Sequence, residues 1–271
     1  WPKSKSCTDW TGKLTCLNTK QYRTAFVCKV LEGIMQNLKV LILLLIVWTT
    51  LYCEMNATAS AQPTSQQTTP RTFLDWCLQK SNLAVSTQAT INTLLRSAKT
   101  RDCQSAHRIL MEKEKLVLSP GSDLTPLSTL THLTSLEIIL PRPGIDLSPL
   151  SSLTQLTELK VIGWAGDISP LSSLKNLTIL RLDGQVRDIA PLIPLKKLTH
   201  LNLVSNYISD IRPLAKLKNL THLELGGNSI TDLSPLSNLT SLTYLNAGGN
   251  WVQNLTPLSN LKKLTYLRLS G

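Results

Sequence analysis

The hydrophobic pattern of this chain fits neither a simple helix nor a simple strand. In residues 221–240, THLELGGNSITDLSPLSNLT, leucine or isoleucine returns every two to five residues and polar residues fill the gaps. A helix across this stretch would break at Gly226, Gly227 and Pro235, and a single strand would be too long. The stretch makes sense as one copy of a repeat. Pro-Leu recurs at Pro126, Pro149, Pro170, Pro191, Pro213, Pro235 and Pro257, with steps of 23, 21, 21, 22, 22 and 22 residues. A fixed period of this length predicts a solenoid, each turn carrying a short strand on one side and a return segment on the other. In Leu223-Glu224-Leu225 the alternation sends both leucines inward and Glu224 outward. Leu220, Ile230, Leu233, Leu236 and Leu239 fill the interior from the other walls. One turn alone cannot bury this surface, so at least three must stack.

Two polar ladders run through the repeat. Asn206, Asn228 and Asn250 follow the strand, where a side-chain amide can bond the turn backbones of neighbouring copies. Pro141, Trp164 and Gln185 occupy this position earlier, which predicts less regular turns there. Asp146, Asp167, Asp188, Asp210 and Asp232, with Asn254 last, each precede the Pro-Leu pair and are placed to cap a short helical or 3-10 return turn. The acids stand singly, one per turn, which favours capping over a calcium site.

The unit L-x-x-L-x-L-x-x-N-x-I-x-D-[IL]-x-P-L-x-x-L, as in Leu220 to Leu239, resembles the leucine-rich repeat family, in the 22-residue class of bacterial internalin-like surface proteins. The resemblance covers residues 119–271 in about seven copies and implies an α/β solenoid: short parallel strands on the concave face and 3-10 or loop return segments. Residues 72–118 have helical character, with Ile91, Leu94 and Leu95 on one face and Ile109 and Leu110 placed to close on them. A solenoid needs an end cap over its first turn, and a small helical N-terminal cap held by a Cys77–Cys103 disulfide fits. This segment resembles the helical N-terminal parts of exported bacterial repeat proteins, cyanobacterial ones among them. Two free, buried thiols are the other reading.

The chain opens at Trp1 and closes at Gly271 in mid-pattern, and reads as a fragment truncated within the repeats. Residues 35–61 begin at Met35 and carry Lys39, the apolar run Val40 to Trp48 and Ala59-Ser60-Ala61, the parts of a secretory signal peptide. The run is short of the ~20 residues that span a bilayer, although an uncleaved single-pass anchor stays open as the alternative. Residues 1–34, without a period and with Cys7, Cys16 and Cys28, read as an upstream segment translated from too early a start, or as a disordered tail. Residues 62–71 form a polar, Pro-containing linker. Localisation is expected outside the cytoplasm, secreted or in the cell envelope, where an even cysteine pair favours a disulfide.

The net charge of +11 falls to +7 over residues 62–271. Its lysines, among them Lys175, Lys196, Lys197, Lys216, Lys218, Lys262 and Lys263, lie after the Pro-Leu pair on the return side. They do not converge with aromatic residues, so nucleic acid is not expected as a partner. The outward strand positions form two rows. The first runs Ser135, Glu158, Ile179, His200, His222, Tyr244 and Tyr266; the second runs Glu137, Lys160, Arg181, Asn202, Glu224, Asn246 and Arg268. Arg181, His200, His222, Glu224, Tyr244, Tyr266 and Arg268 are the candidate partner-binding residues, with Tyr207 and Trp251 flanking them and Gly226 also facing outward. His200 and His222 are neighbours without a clear third ligand, and neither a metal nor another cofactor is expected. No nucleophile motif, phosphate loop or metal-ligand set appears. The expected function is a non-catalytic scaffold binding a protein or other envelope macromolecule through the concave sheet, with no small-molecule substrate. The alternative is a targeting module for an enzymatic, adhesive or signalling domain beyond residue 271.

Overall fold

The computed structural model describes residues 72–163 and 165–270. The signal-peptide, linker and upstream expectations for residues 1–71 lie outside the described residues.

Three short helices come first: α1 (Phe73–Leu78), α2 (Val85–Ser97) and α3 (Cys103–Glu112). Each start has a chemical cause where the chain supplies a cap. Thr72 and Asp75 form a reciprocal capping box on α1, and Asp102 accepts the Ser105 backbone N–H at 2.7 Å to start α3. The α2 spacing buries Thr87, Thr90, Ile91, Leu94 and Leu95 on one face, and Leu110 of α3 is buried with them. Ile109 packs at the edge of the same core. Cys77 and Cys103 are bonded across 26 residues, tying α1 to the start of α3.

The solenoid follows as one eight-stranded parallel sheet in chain order: β1 (Lys115–Leu118), β2 (Ser135–Ile139), β3 (Glu158–Ile162), β4 (Ile179–Leu182), β5 (His200–Asn202), β6 (His222–Glu224), β7 (Tyr244–Asn246) and β8 (Tyr266–Arg268). The first strand lies inside the segment 72–118, whose last residues therefore belong to the sheet and not to the helices. Each return contains a 3-10 turn with proline in its first two positions, as in Ser148–Ser152 and Ser234–Leu236. Proline is tolerated there because the N–H it lacks has no partner within the turn anyway. In the coil from 220 to 239 all seven apolar side chains, from Leu220 to Leu239, are at most 1 % exposed. In the same register Leu223 and Leu245 are fully covered and Leu267 is 44 % exposed.

Three ladders hold neighbouring coils in step. The asparagine ladder takes the expected form. Asn228 Oδ1 accepts the Ile208 N–H at 3.0 Å, and its Nδ2 donates to the carbonyls of Leu203 and Leu225 at 2.9 and 2.8 Å. Asn206 and Asn250 repeat this arrangement. Each amide thus satisfies buried backbone groups of two coils at once. The residue before each asparagine sits in the left-handed region: Ser205 at φ 58°, Gly227 and Gly249 at 66°. Earlier coils keep a left-handed glycine without the amide, Gly163 at 108° and Gly184 at 126°, so their turns are less uniform, as expected.

In the aspartate ladder, Asp146, Asp167, Asp188, Asp210 and Asp232 each accept the backbone N–H two residues on, at 2.8 to 2.9 Å, and Asn254 does the same at 3.0 Å. The hydrogen bonds from Arg212 hold the Asp210 carboxyl down at about 2, in a bidentate pair with its guanidinium. Asp123 heads this ladder and has a second task. It bonds both Thr125 and Thr87, and its own carbonyl accepts from Thr90 Oγ1 at 2.7 Å, fastening α2 to the first coil.

The third ladder is threonine. Thr134, Thr157, Thr178, Thr199, Thr221, Thr243 and Thr265 each stand before a strand, and each hydroxyl donates to the backbone carbonyl one coil back at 3.0 to 3.2 Å. From Thr157 onward that acceptor is the preceding threonine's own carbonyl, which also takes two backbone N–H groups, as when Thr199 accepts from Thr221 and His222. Among the described residues no helix is long and apolar enough to cross a membrane.

Candidate partner-binding face

The parallel register converts the repeat into columns. His200, His222, Tyr244 and Tyr266 pair in sequence, as do Arg181, Asn202, Glu224, Asn246 and Arg268. The seven candidate residues therefore share one face, in two adjacent columns. Gly226 does not join them: it is buried, and a Cβ there would stand 3.3 Å from the Asn246 amide. The Asn246 side chain and the Gly248 carbonyl of the next coil cover this position, so the accessible outward residues of the coil stop at Glu224.

The four rings of the first column stack. Centroids are 4.3 Å apart for His200 and His222, 5.7 Å for His222 and Tyr244, and 4.3 Å for Tyr244 and Tyr266, with planes within 14° of parallel. A threonine of the ladder orients each imidazole: Thr199 Oγ1 lies 2.9 Å from His200 Nδ1, and Thr221 Oγ1 lies 3.1 Å from His222 Nδ1. Burial, followed by the neighbouring His222, lowers the pKa of His200 and favours the neutral ring. Burial, and then the Glu224 charge, push the Tyr244 hydroxyl up. The column is thus a continuous strip of stacked rings, with Tyr266 43 % exposed.

The other end of the face is saturated with its own charges. Lys160 Nζ pairs with Glu158 at 2.9 Å and Glu137 at 3.7 Å, and Ser135 Oγ donates to Glu158. The hydrogen bond from Lys160 holds the Glu158 carboxyl below its usual range. Arg181 is folded onto Asp183 in a bidentate pair, with Nη2 2.8 Å from Oδ2, so its guanidinium is engaged within its own coil. Glu224 Oε2 accepts only a long 3.4 Å bond from Asn246. Among the described residues no three His, Cys, Asp or Glu side chains converge to hold a metal ion.

Tyr207 and Trp251 were expected beside the column, whereas a groove between the glycine pairs was not singled out from the sequence. Tyr207 and Trp251 stand on the turn edge, 53 % and 73 % exposed, and the Arg187 guanidinium lies 5.2 Å over the Tyr207 ring. Between Gly226–Gly227 and Gly248–Gly249 runs a groove of about 280 Å³, with Asn246 and Arg268 on its concave side. The repeated Gly-Gly before Asn228 and Asn250 was the available signal for this groove.

Residues 196–238 match the family model for leucine-rich repeats in two copies. No curated protein matches the chain at a significant level. Among solved structures, an internalin (inlF) from Listeria monocytogenes is 31 % identical with a TM-score of 0.56, over 69 % of this chain. The match spans 57 % of that internalin's length. An internalin C2 (inlC2) from the same species is 28 % identical with a TM-score of 0.51, over 67 % of this chain and 92 % of that one. A leucine-rich-repeat protein from Leptospira interrogans shares the fold at 21 % identity and a TM-score of 0.55, over 62 % of this chain and 46 % of that one. The coil geometry and these matches together establish that the chain carries leucine-rich repeats of the 22-residue, internalin-like class.

Proposed function

We propose that the chain is a non-catalytic protein-binding scaffold of the extracellular space or cell envelope, and that its partner docks on the C-terminal half of the concave face. The observation that carries this reading is the stacked column His200, His222, Tyr244 and Tyr266. It sets preorganised aromatic area, with few rotamers left to freeze, beside a face whose other half already neutralises its own charges. Glu224 and Arg268 supply the polar flank that gives direction to binding. Arg181 contributes through its ion pair with Asp183 and not as a free cation. Cys77 and Cys103, bonded in this fold, suit an oxidising compartment, which supports the extracytoplasmic location.

The test is capture of partner protein from an envelope extract by the full chain and by His222→Ala, Tyr244→Ala and Tyr266→Ala variants. Each truncation removes part of a continuous strip, so affinity should fall about tenfold or more per ring at the centre of the footprint. A Lys262→Ala and Lys263→Ala double variant on the return side should bind as the parent does. Unchanged capture by all three ring variants would overturn the assignment of the face.

A further inference from the structure

The strongest unassigned feature lies on the helical cap, away from the sheet. A cleft of about 750 Å³ is lined by Lys80, Arg96, Lys99 and Arg101, with Asn92 at its wall and the mostly buried Leu95 at its base. Four cations and no carboxylate line it. The polar neighbours of these cations are neutral: Lys80 Nζ donates to Asn92 Oδ1 at 3.0 Å and Arg96 Nη2 to Thr93 Oγ1 at 2.8 Å. The adjacent carboxylate, Asp102, is turned into the start of α3, where it accepts the Ser105 N–H. Among the described residues none of the four forms an ion pair. The concentration of charge comes from the chain path: Arg96 closes the last turn of α2, Lys99 holds a left-handed conformation at φ 55°, and the chain turns so that Arg101 comes alongside.

We propose that this cleft binds a linear polyanion carrying successive phosphate or sulfate groups. Cations at a helix C-terminus have a plain structural use, since they offset the negative end of the helix dipole. That end carries roughly half a charge, so it accounts for one cation and leaves about three without a task. The cleft, at about 750 Å³, is far larger than a single oxyanion and is lined by four cations together with Leu95, which suits several anionic groups in series. Two arginines supply planar forks that match tetrahedral oxyanions. The convex lysines differ in kind: Lys197 and Lys196 bond to Asn176 and the Lys216 carbonyl, and they follow the period of the repeat.

Linear polyphosphate, heparin and inorganic phosphate, each titrated into the full chain at several salt concentrations, test the proposal. Binding of polyphosphate, heparin or both is expected, weakening with salt, and which of them binds identifies phosphate or sulfate as the group read. An Arg96→Glu and Arg101→Glu double variant should lose about tenfold or more, while Lys262→Glu with Lys263→Glu, the same change in net charge, should lose less than about twofold. Arg101→Glu alone lies outside every helix and serves as the variant that keeps α2 intact, with circular dichroism as the check. Equal losses from the cap and convex variants would mean that only net charge is sensed and would overturn the proposal. So would absence of binding to both polymers, or inorganic phosphate competing at the same phosphate concentration. His222→Ala should leave this binding unchanged, so the outcome is separate from that of the concave face.

Discussion

At the scale of single residues, the repeat is held by side chains that close backbone hydrogen bonds between coils. Asn228 is the sharpest case, because it is 7 % exposed and serves one N–H and two carbonyls across two coils. Asn228→Ala should strand those groups away from water and destabilise the fold by about 2–4 kcal/mol, measured by urea denaturation. The aspartate ladder behaves differently. Its bond is accepted by an oxygen that asparagine also carries, as Asn254 shows, so Asp232→Asn should be close to neutral while Asp232→Ala lowers the midpoint. A comparable loss for both substitutions would mean that the charge, not the acceptor, matters. Both ladders were legible before the structure, since a polar residue at a fixed offset in every copy needs a repeated partner. The threonine ladder was equally regular but easily passed over. Threonine before a strand fits ordinary strand preference, and only the register shows that its hydroxyl returns to the preceding coil.

At the scale of elements, the strands were readable wherever the Pro-Leu return precedes them. β1 was not, because Lys115–Leu118 follows a helix and has no return of its own. Nor could alternation distinguish free outward charges from paired ones: Arg181 and Lys160 look alike in sequence, and only their neighbours show that both are neutralised. The ring column, by contrast, follows from period and register, and its stacking adds a pH dependence. The folded state holds His200 neutral, with its pKa below the ordinary value of 6.5. Between these two values the unfolded chain binds the proton and the folded chain does not. Stability therefore falls as pH drops through that window and is complete above it. The melting temperature should decline from pH 7.5 to 5.5, and His200→Gln should flatten that decline. An unaltered slope in the variant would assign the dependence to other groups.

At the scale of the molecule, helical cap and solenoid share one continuous hydrophobic core. Thr87 and Thr90 bond to Asp123, Thr93 bonds to the Ser119 carbonyl and His132 to the Leu110 carbonyl, and Gly121 provides the clearance: a Cβ there would come 2.3 Å from the Ser86 carbonyl of α2. Gly121→Ala must push the helix away from the first coil, so it should destabilise by about 3 kcal/mol and broaden the transition as cap and repeats separate. A variant melting as sharply as the parent and at the same temperature would show that the joint has slack. The spacing of the rings has its own consequence for whatever lies along them. Neighbouring rings follow the strand spacing of ~4.8 Å. Same-face residues of an extended peptide recur every ~6.8 Å, whereas successive turns of an α-helix recur every ~5.4 Å. Laid along the column, a strand misses the second ring by about 2 Å, while a helix drifts by about 0.6 Å per step and reaches a comparable offset only at the fourth ring. Under the proposed binding role, the pitch of the column therefore lies nearer to the repeat of a helical segment than to that of an extended one.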